Sequence, residues 1–138
     1  MKKRILTSAV TLIAVMFLLS GCFLNTDLAK SFDEKQVIEK GKQFVAMIND
    51  GNYDGCAEWF SDSMKKEATA ADVKKLVEDK TTGAGSFVSF TGGTVSGTSQ
   101  DGKDYAVCIL VAKYENKEKV QYNVTFDTDM KVAGFFCQ

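Results

Sequence analysis

Histidine and proline are both absent from the 138 residues. Without histidine the chain lacks the commonest general base near neutral pH and the commonest neutral metal ligand. Without proline no turn rests on a cis-proline bond. Arginine occurs once, at Arg4. Acids alternate with the lysines, as in Lys117-Glu118-Lys119, so no basic stripe forms for nucleic acid or phosphate. No Cys-x-x-Cys pair is present, and nothing points to a bound cofactor. These absences count against histidine-based catalysis, Cys-x-x-Cys redox chemistry and nucleic-acid binding, and leave two strong signals, a leader and an alternating pattern of strands.

The leader comes first. Lys2, Lys3 and Arg4 precede a mostly apolar run from Ile5 to Leu19, followed by the small residues Ser20 and Gly21 and then Cys22. Charge, apolar core and small residues in that order mark a secretory signal over residues 1–21. The apolar run is shorter than the roughly 20 residues a membrane span needs. Leu19-Ser20-Gly21-Cys22 resembles the lipobox of bacterial lipoproteins. That resemblance implies cleavage before Cys22, lipid on its sulfur, and a protein held outside the cytoplasm on the cell membrane through that lipid. Without the three leader cations, the 17 basic side chains fall to 14 against 18 acidic ones, a net charge near −4. Anionic lipid then gives no electrostatic help, and anchoring falls to the acyl chains at about 0.8 kcal/mol per buried methylene.

The chain from Cys22 to Gln138 has the length of one domain. Residues 22–30 read as a tether; its eight residues after the cysteine reach about 27 Å when extended. Residues 31–138 read as a single α+β domain. Ser31 and Glu34 have capping-box spacing, and Val37, Gly41, Phe44 and Ile48 follow at helical spacing. Asn49-Asp50-Gly51-Asn52 stops that helix. A short second helix is expected over Tyr53 to Phe60, capped by Asp54, and a third behind Thr69 and Asp72, ending near Gly83. From Ser86 the pattern turns to strands. Ser86 to Val95 is the first, and a polar connection with an Asp101-Gly102 turn follows. Asp104 to Tyr114, apolar on both faces, reads as a central buried strand. Val120, Tyr122, Val124 and Phe126 alternate with polar residues as a half-exposed strand, and Lys131 to Cys137 is the last. Three helices followed by four hairpin-linked strands predict N-terminal helices packed on a four-stranded antiparallel sheet. The expected core includes Phe44, Ile48, Trp59, Phe60, Leu76, Val107, Ile109, Val111 and Phe126.

The run Asn49-Asp50-Gly51-Asn52-Tyr53-Asp54, the Trp59-Phe60 helix, and hairpins ending Val124-Thr125-Phe126-Asp127 and Lys131-Val132-Ala133-Gly134-Phe135-Phe136 resemble the bacterial domain of unknown function 3887. The resemblance covers about Gln36 to Phe136. It implies a cone-like fold similar to nuclear transport factor 2-like, or cystatin-like, domains, and it brings no catalytic residues with it. Enzymes built on that cone usually place an Asp-His or similar pair in the cavity, and this chain has no histidine.

Cys56, Cys108 and Cys137 remain beside the lipidated cysteine. An oxidising compartment favours one disulfide among them. Cys108 and Cys137 would lie two strands apart, about 9–10 Å, beyond disulfide reach. Cys108 sits mid-strand among Val107, Ile109 and Leu110, where a small thiol packs well, and Cys56, on a helix covering the sheet, can reach the last strand, so Cys56–Cys137 is expected ahead of Cys56–Cys108. Asp127 and Asp129, with Asp101 and Asp104, fall short of the oxygen set that calcium takes. Glu58 and Asp62 are spaced as a candidate acid pair, though helix acids at that spacing usually face solvent. Tyr53, Trp59, Tyr105, Tyr114 and Tyr122 are the candidate ligand contacts, because each joins an apolar ring to a polar tip. The function these features imply is a non-enzymatic module binding a small apolar ligand or a peptide between helices and sheet. The alternative is a partner-interaction or accessory module of the cell envelope, with an enzyme using an acid pair the least favoured reading.

Overall fold

The computed structural model describes residues 27–138. The leader and Cys22 lie outside the described residues. Among those described, four helices precede four strands: α1 (Glu34–Asn49), α2 (Tyr53–Glu58), α3 (Asp62–Glu67), α4 (Ala70–Thr81), β1 (Phe87–Gln100), β2 (Lys103–Tyr114), β3 (Lys117–Phe126) and β4 (Val132–Cys137). No described helix is long and apolar enough to cross a membrane.

The helices start where side chains satisfy the exposed N–H groups of a first turn. Asp33, not Ser31, caps α1, accepting from the Gln36 amide at 2.9 Å. The reason is Phe32, which is buried in the core and so fixes the entry later than the Ser31-Glu34 spacing suggests. Asn52, not Asp54, caps α2 through the Gly55 amide at 3.0 Å. Ser61 caps α3, a helix with a single buried residue, Met64. Thr69 and Asp72 form the capping box anticipated for α4. Gly51 and Gly83 end α1 and α4 at positive φ, where glycine carries no Cβ penalty.

The strands form one antiparallel sheet in the order β1-β2-β3-β4. β1 runs on to Gln100, past the expected end at Val95, because its glycine-bearing second half pairs with β2 residue for residue down to Gln100 opposite Lys103. Asp101 and Gly102 both take positive φ in the two-residue hairpin between them, as a type I′ turn requires. Bulges between Phe87 and Ser89 and between Phe90 and Gly92 bend β1.

The helices cover one face of this sheet. On that face stand Ala106, Cys108, Leu110, Ala112 and Tyr114 of β2, Val120, Tyr122, Val124 and Phe126 of β3, and Phe135 and Cys137 of β4. Val37, Phe44, Val45 and Ile48 of α1 pack against them. Gly41 permits the close approach: a Cβ there would lie 2.7 Å from the Cys108 Sγ. Among the described residues no helix covers the other face. Ile109 and Val111 are half-buried there, while Val107 is buried outside the main core cluster. Trp59 and Leu76 are also half-buried, at the margin of the core.

Two further contacts tie the layers together. Phe60 and Val132 form an isolated parallel bridge, in which the Ser61 amide donates to the Val132 carbonyl at 2.8 Å and the Val132 amide to the Trp59 carbonyl at 2.7 Å. Residues expected as the end of the tether belong to the domain: Leu28 and Ala29 pack at the core margin. Asp27 and Leu28 run so close over Gly97 that a Cβ there would collide with the Asp27 carbonyl.

Candidate functional site

The five aromatic candidates do not share one site. Tyr114 and Tyr122 are core residues, 4 % and 0 % exposed. The Tyr114 hydroxyl donates to Asn49 Oδ1 at 2.7 Å, so it can only accept from Tyr122, 2.5 Å away. Each polar tip is thus used inside the protein. Burial raises both phenol pKa values, and for Tyr122 the bond to Tyr114 adds to the rise. Tyr53 is half-buried near them, its own pKa raised by burial first and by Glu78 second. Trp59 packs on Phe44, with 6.2 Å between ring centroids, and carries the Lys40 ammonium 5.0 Å above its ring. The interior meant for a ligand is occupied by side chains. Phe44, Phe60, Leu110, Tyr122 and Phe126 are all 2 % exposed or less.

Tyr105 stands apart. It lines an open cleft of about 470 Å³ at the end of the sheet, where three segments meet. The β1–β2 hairpin contributes Lys103, Asp104 and Tyr105, and the end of β3 with the β3–β4 turn contributes Thr125, Asp127 and Asp129. The start of α3 contributes Ser61 and Ser63. The Asp104 carboxylate accepts from the Ser99 hydroxyl at 2.6 Å. One oxygen of Asp127 accepts from the amides of Asp129 and Lys131, at 3.0 and 2.9 Å, which shapes the turn. Ser61 is engaged by its cap. Thr125 is 8 % exposed, yet among the described residues no hydrogen bond engages its hydroxyl.

The fold therefore brings Asp104 to the same cleft as Asp127 and Asp129 of the β3–β4 turn, and Asp101 sits in the adjoining hairpin turn. Among the described residues no group of three or more acids, thiols or imidazoles has the geometry to hold a metal ion. Glu58 and Asp62 are both exposed on consecutive short helices. Sequence reasoning singled out Tyr105 and the acids but not Thr125, Lys103 or Ser61. Thr125 carried no signal, because it occupies an ordinary polar position in the alternation of β3.

The three cysteines are free and buried, and the expected Cys56–Cys137 bridge is not formed. The thiols are directed to different neighbours. Cys56 Sγ faces the Phe44 carbonyl at 3.9 Å, Cys108 lies beneath Gly41, and Cys137 is opposite Tyr122 on the neighbouring strand. Burial pushes Cys56 up to about 11 and Cys108 and Cys137 up to about 12. All three are poor nucleophiles at neutral pH.

No curated protein matches the chain. A solved structure does: the NMR structure of a protein from Ruminococcus gnavus ATCC 29149, 25 % identical, with a TM-score of 0.65, covering 80 % of this chain and 95 % of its own. The family model described as "Protein of unknown function (DUF3887)" matches residues 41–135, from the glycine of α1 into β4, and the chain belongs to that family.

Proposed function

We propose that this protein is an envelope lipoprotein, anchored outside the cytoplasm through lipid on Cys22, whose domain is a non-enzymatic binding module. The binding place in this reading is the sheet-end cleft rather than the space between helices and sheet. The observation that carries it is the contrast between a filled interior and Tyr105, which opens onto a cleft with the unengaged Thr125 hydroxyl. At about 470 Å³ the cleft falls within the usual range for small-molecule sites. The cone-like fold implied by the family resemblance accords with a sheet bent around its helices. If Cys22 carries lipid, the five residues to Asp27 span at most about 17 Å, so the domain works close to the bilayer.

Two experiments test the two halves of the proposal. Intact-mass measurement of membrane-extracted protein is expected to show loss of Met1 to Gly21 and added acyl mass. Cys22→Ser is expected to block lipidation and release or stall the protein. An unprocessed chain with a free Cys22 in the membrane refutes the anchor. For the cleft, amide shifts at Tyr105 and Thr125 on adding envelope extract support the reading, and shifts confined to other surfaces refute it.

A second reading, a partner-interaction or accessory module, is favoured by the sheet face that no described helix covers. Phe136 is 37 % exposed there, and Ile109 and Val111 are only half-buried. Cross-linking in intact cells distinguishes the two, since that reading requires another envelope protein to be captured through this face.

A further inference from the structure

The charges and hydroxyls of the cleft point to a chemical class of ligand. We propose that it binds a small molecule or side chain bearing a primary ammonium group, a proposal that rests on the cleft being the binding place. Asp104, Asp127 and Asp129 line it against a single cation, Lys103, so its lining carries a net charge near −2. None of these four side chains forms an ion pair among the described residues. Asp104 and Asp127 each spend one oxygen on a neighbour, Ser99 or the turn amides, and keep the other.

Acids around a depression are common and prove nothing alone. The second observation is Thr125. The residue is more than nine-tenths buried and lines the cleft, and its hydroxyl has no hydrogen-bond partner among the described residues. A buried hydroxyl without a partner is costly, and a ligand that supplies one removes that cost. An ammonium donates three hydrogen bonds and accepts none. It therefore suits a wall of carboxylate and hydroxyl acceptors. The Tyr105 ring adds an aromatic surface of the kind that attracts a cation. A bare ammonium fills little of about 470 Å³, so the ligand has a body as well as a charge.

Two sources supply this chemistry: a free diamine, or the lysine side chain of a peptide. The test uses detergent-solubilised protein with its natural N-terminus, isotope-labelled, in amine-free phosphate buffer. Cadaverine, Nα-acetyl-lysine methylamide, N-acetylglucosamine dimer and calcium chloride are titrated separately. Both amines are expected to shift the amides of Asp104, Tyr105 and Thr125, and their affinity is expected to fall as salt rises. Asp104→Asn and Asp129→Asn should each weaken amine binding about threefold to tenfold. Thr125→Val should weaken it about fivefold while leaving the unfolding midpoint equal or higher, because it deletes an unsatisfied hydroxyl. Tighter binding of cadaverine identifies the free-amine source, and tighter binding of the lysine amide the peptide source. If only the sugar or only calcium shifts these residues, the ligand class is overturned while the cleft stands. Amine binding unchanged by all three variants also overturns the class. If nothing shifts them, the cleft reading falls too.

Discussion

Replacing Gly41 by alanine tests the close approach of α1 to β2. In an exposed helix interior that change is worth about 0.8–1.0 kcal/mol of added stability. Here the new methyl would sit 2.7 Å from Cys108 Sγ and 3.3 Å from Leu110 Cδ1. Neither atom retreats easily, since Cys108 and Leu110 are both fully buried on the central strand. Overpacking of this kind costs about 1–3 kcal/mol. The two terms leave a net loss of about 1 kcal/mol, a fall in Tm of about 4–8 °C for a domain of this size. With a urea m-value near 2 kcal/mol/M the midpoint falls by about 0.5 M. Cys108→Ala removes the obstructing sulfur and by itself should cost about 1 kcal/mol as a small cavity. In the double variant the methyl introduced at position 41 moves into that cavity, so this variant should be more stable than Cys108→Ala alone. The cycle is then expected to show a coupling energy of about 1.5–3 kcal/mol. Should Gly41→Ala instead raise the midpoint by the full helix-propensity amount, with no coupling to Cys108, the packing of α1 on β2 described above is wrong.

Further expectations follow from the other buried polar groups. Tyr114→Phe should destabilise by about 1–3 kcal/mol, because it strands the fully buried Tyr122 hydroxyl; Tyr122→Phe should cost less, since Tyr114 keeps Asn49. Equal losses in urea titrations would refute that donor order. The three thiols are protonated in both folded and unfolded states below pH 9, so their burial contributes fully there. Between pH 9 and about 11–12 the unfolded chain releases protons that the folded chain keeps. Stability should therefore fall with rising pH in that window, by up to about 1.4 kcal/mol per pH unit for each thiol; a flat profile against a triple Cys→Ala variant contradicts it. Trp59→Ala should cost about 2–3 kcal/mol, less than Phe60→Ala at about 3–5 kcal/mol, because Trp59 is only half-buried while Phe60 is 2 % exposed. Thermal unfolding of the two variants decides this.

The elements that the chain announces plainly are those whose period repeats long enough to be counted. Val37, Gly41, Phe44 and Ile48 mark α1, and Val120 to Phe126 mark β3. What escaped were features set by one or two residues in a distant context. α3 holds a single apolar anchor, Met64, and depends on the Ser61 cap, so no periodicity reveals it. The start of α1 is decided between neighbouring Ser31 and Asp33 by the burial of Phe32, and that of α2 between Asn52 and Asp54 by which side chain reaches the Gly55 amide. β2 is apolar on both faces, but no local rule says that only one face is covered by helices. The cleft was half legible. Its acids lie in two turns that the sequence marks, but their proximity depends on the β1–β2 and β3–β4 turns lying at the same end of the sheet, and Thr125 looks like any solvent-facing strand threonine.

The bridge between Phe60 and Val132 has a bearing on the order of events as the polypeptide emerges. The link between α2 and α3 is completed by the first residue of β4, which is synthesised several seconds after Phe60 at about 5–20 residues per second. Until then the Trp59 carbonyl and the Ser61 amide lack the partners they have in the finished domain. The aromatic floor of Phe44 also lacks Phe135, its edge-on neighbour at 5.4 Å. The helical half therefore remains an open, incomplete layer while the sheet is still being made, and closure waits on a long-range contact of the kind that slows folding.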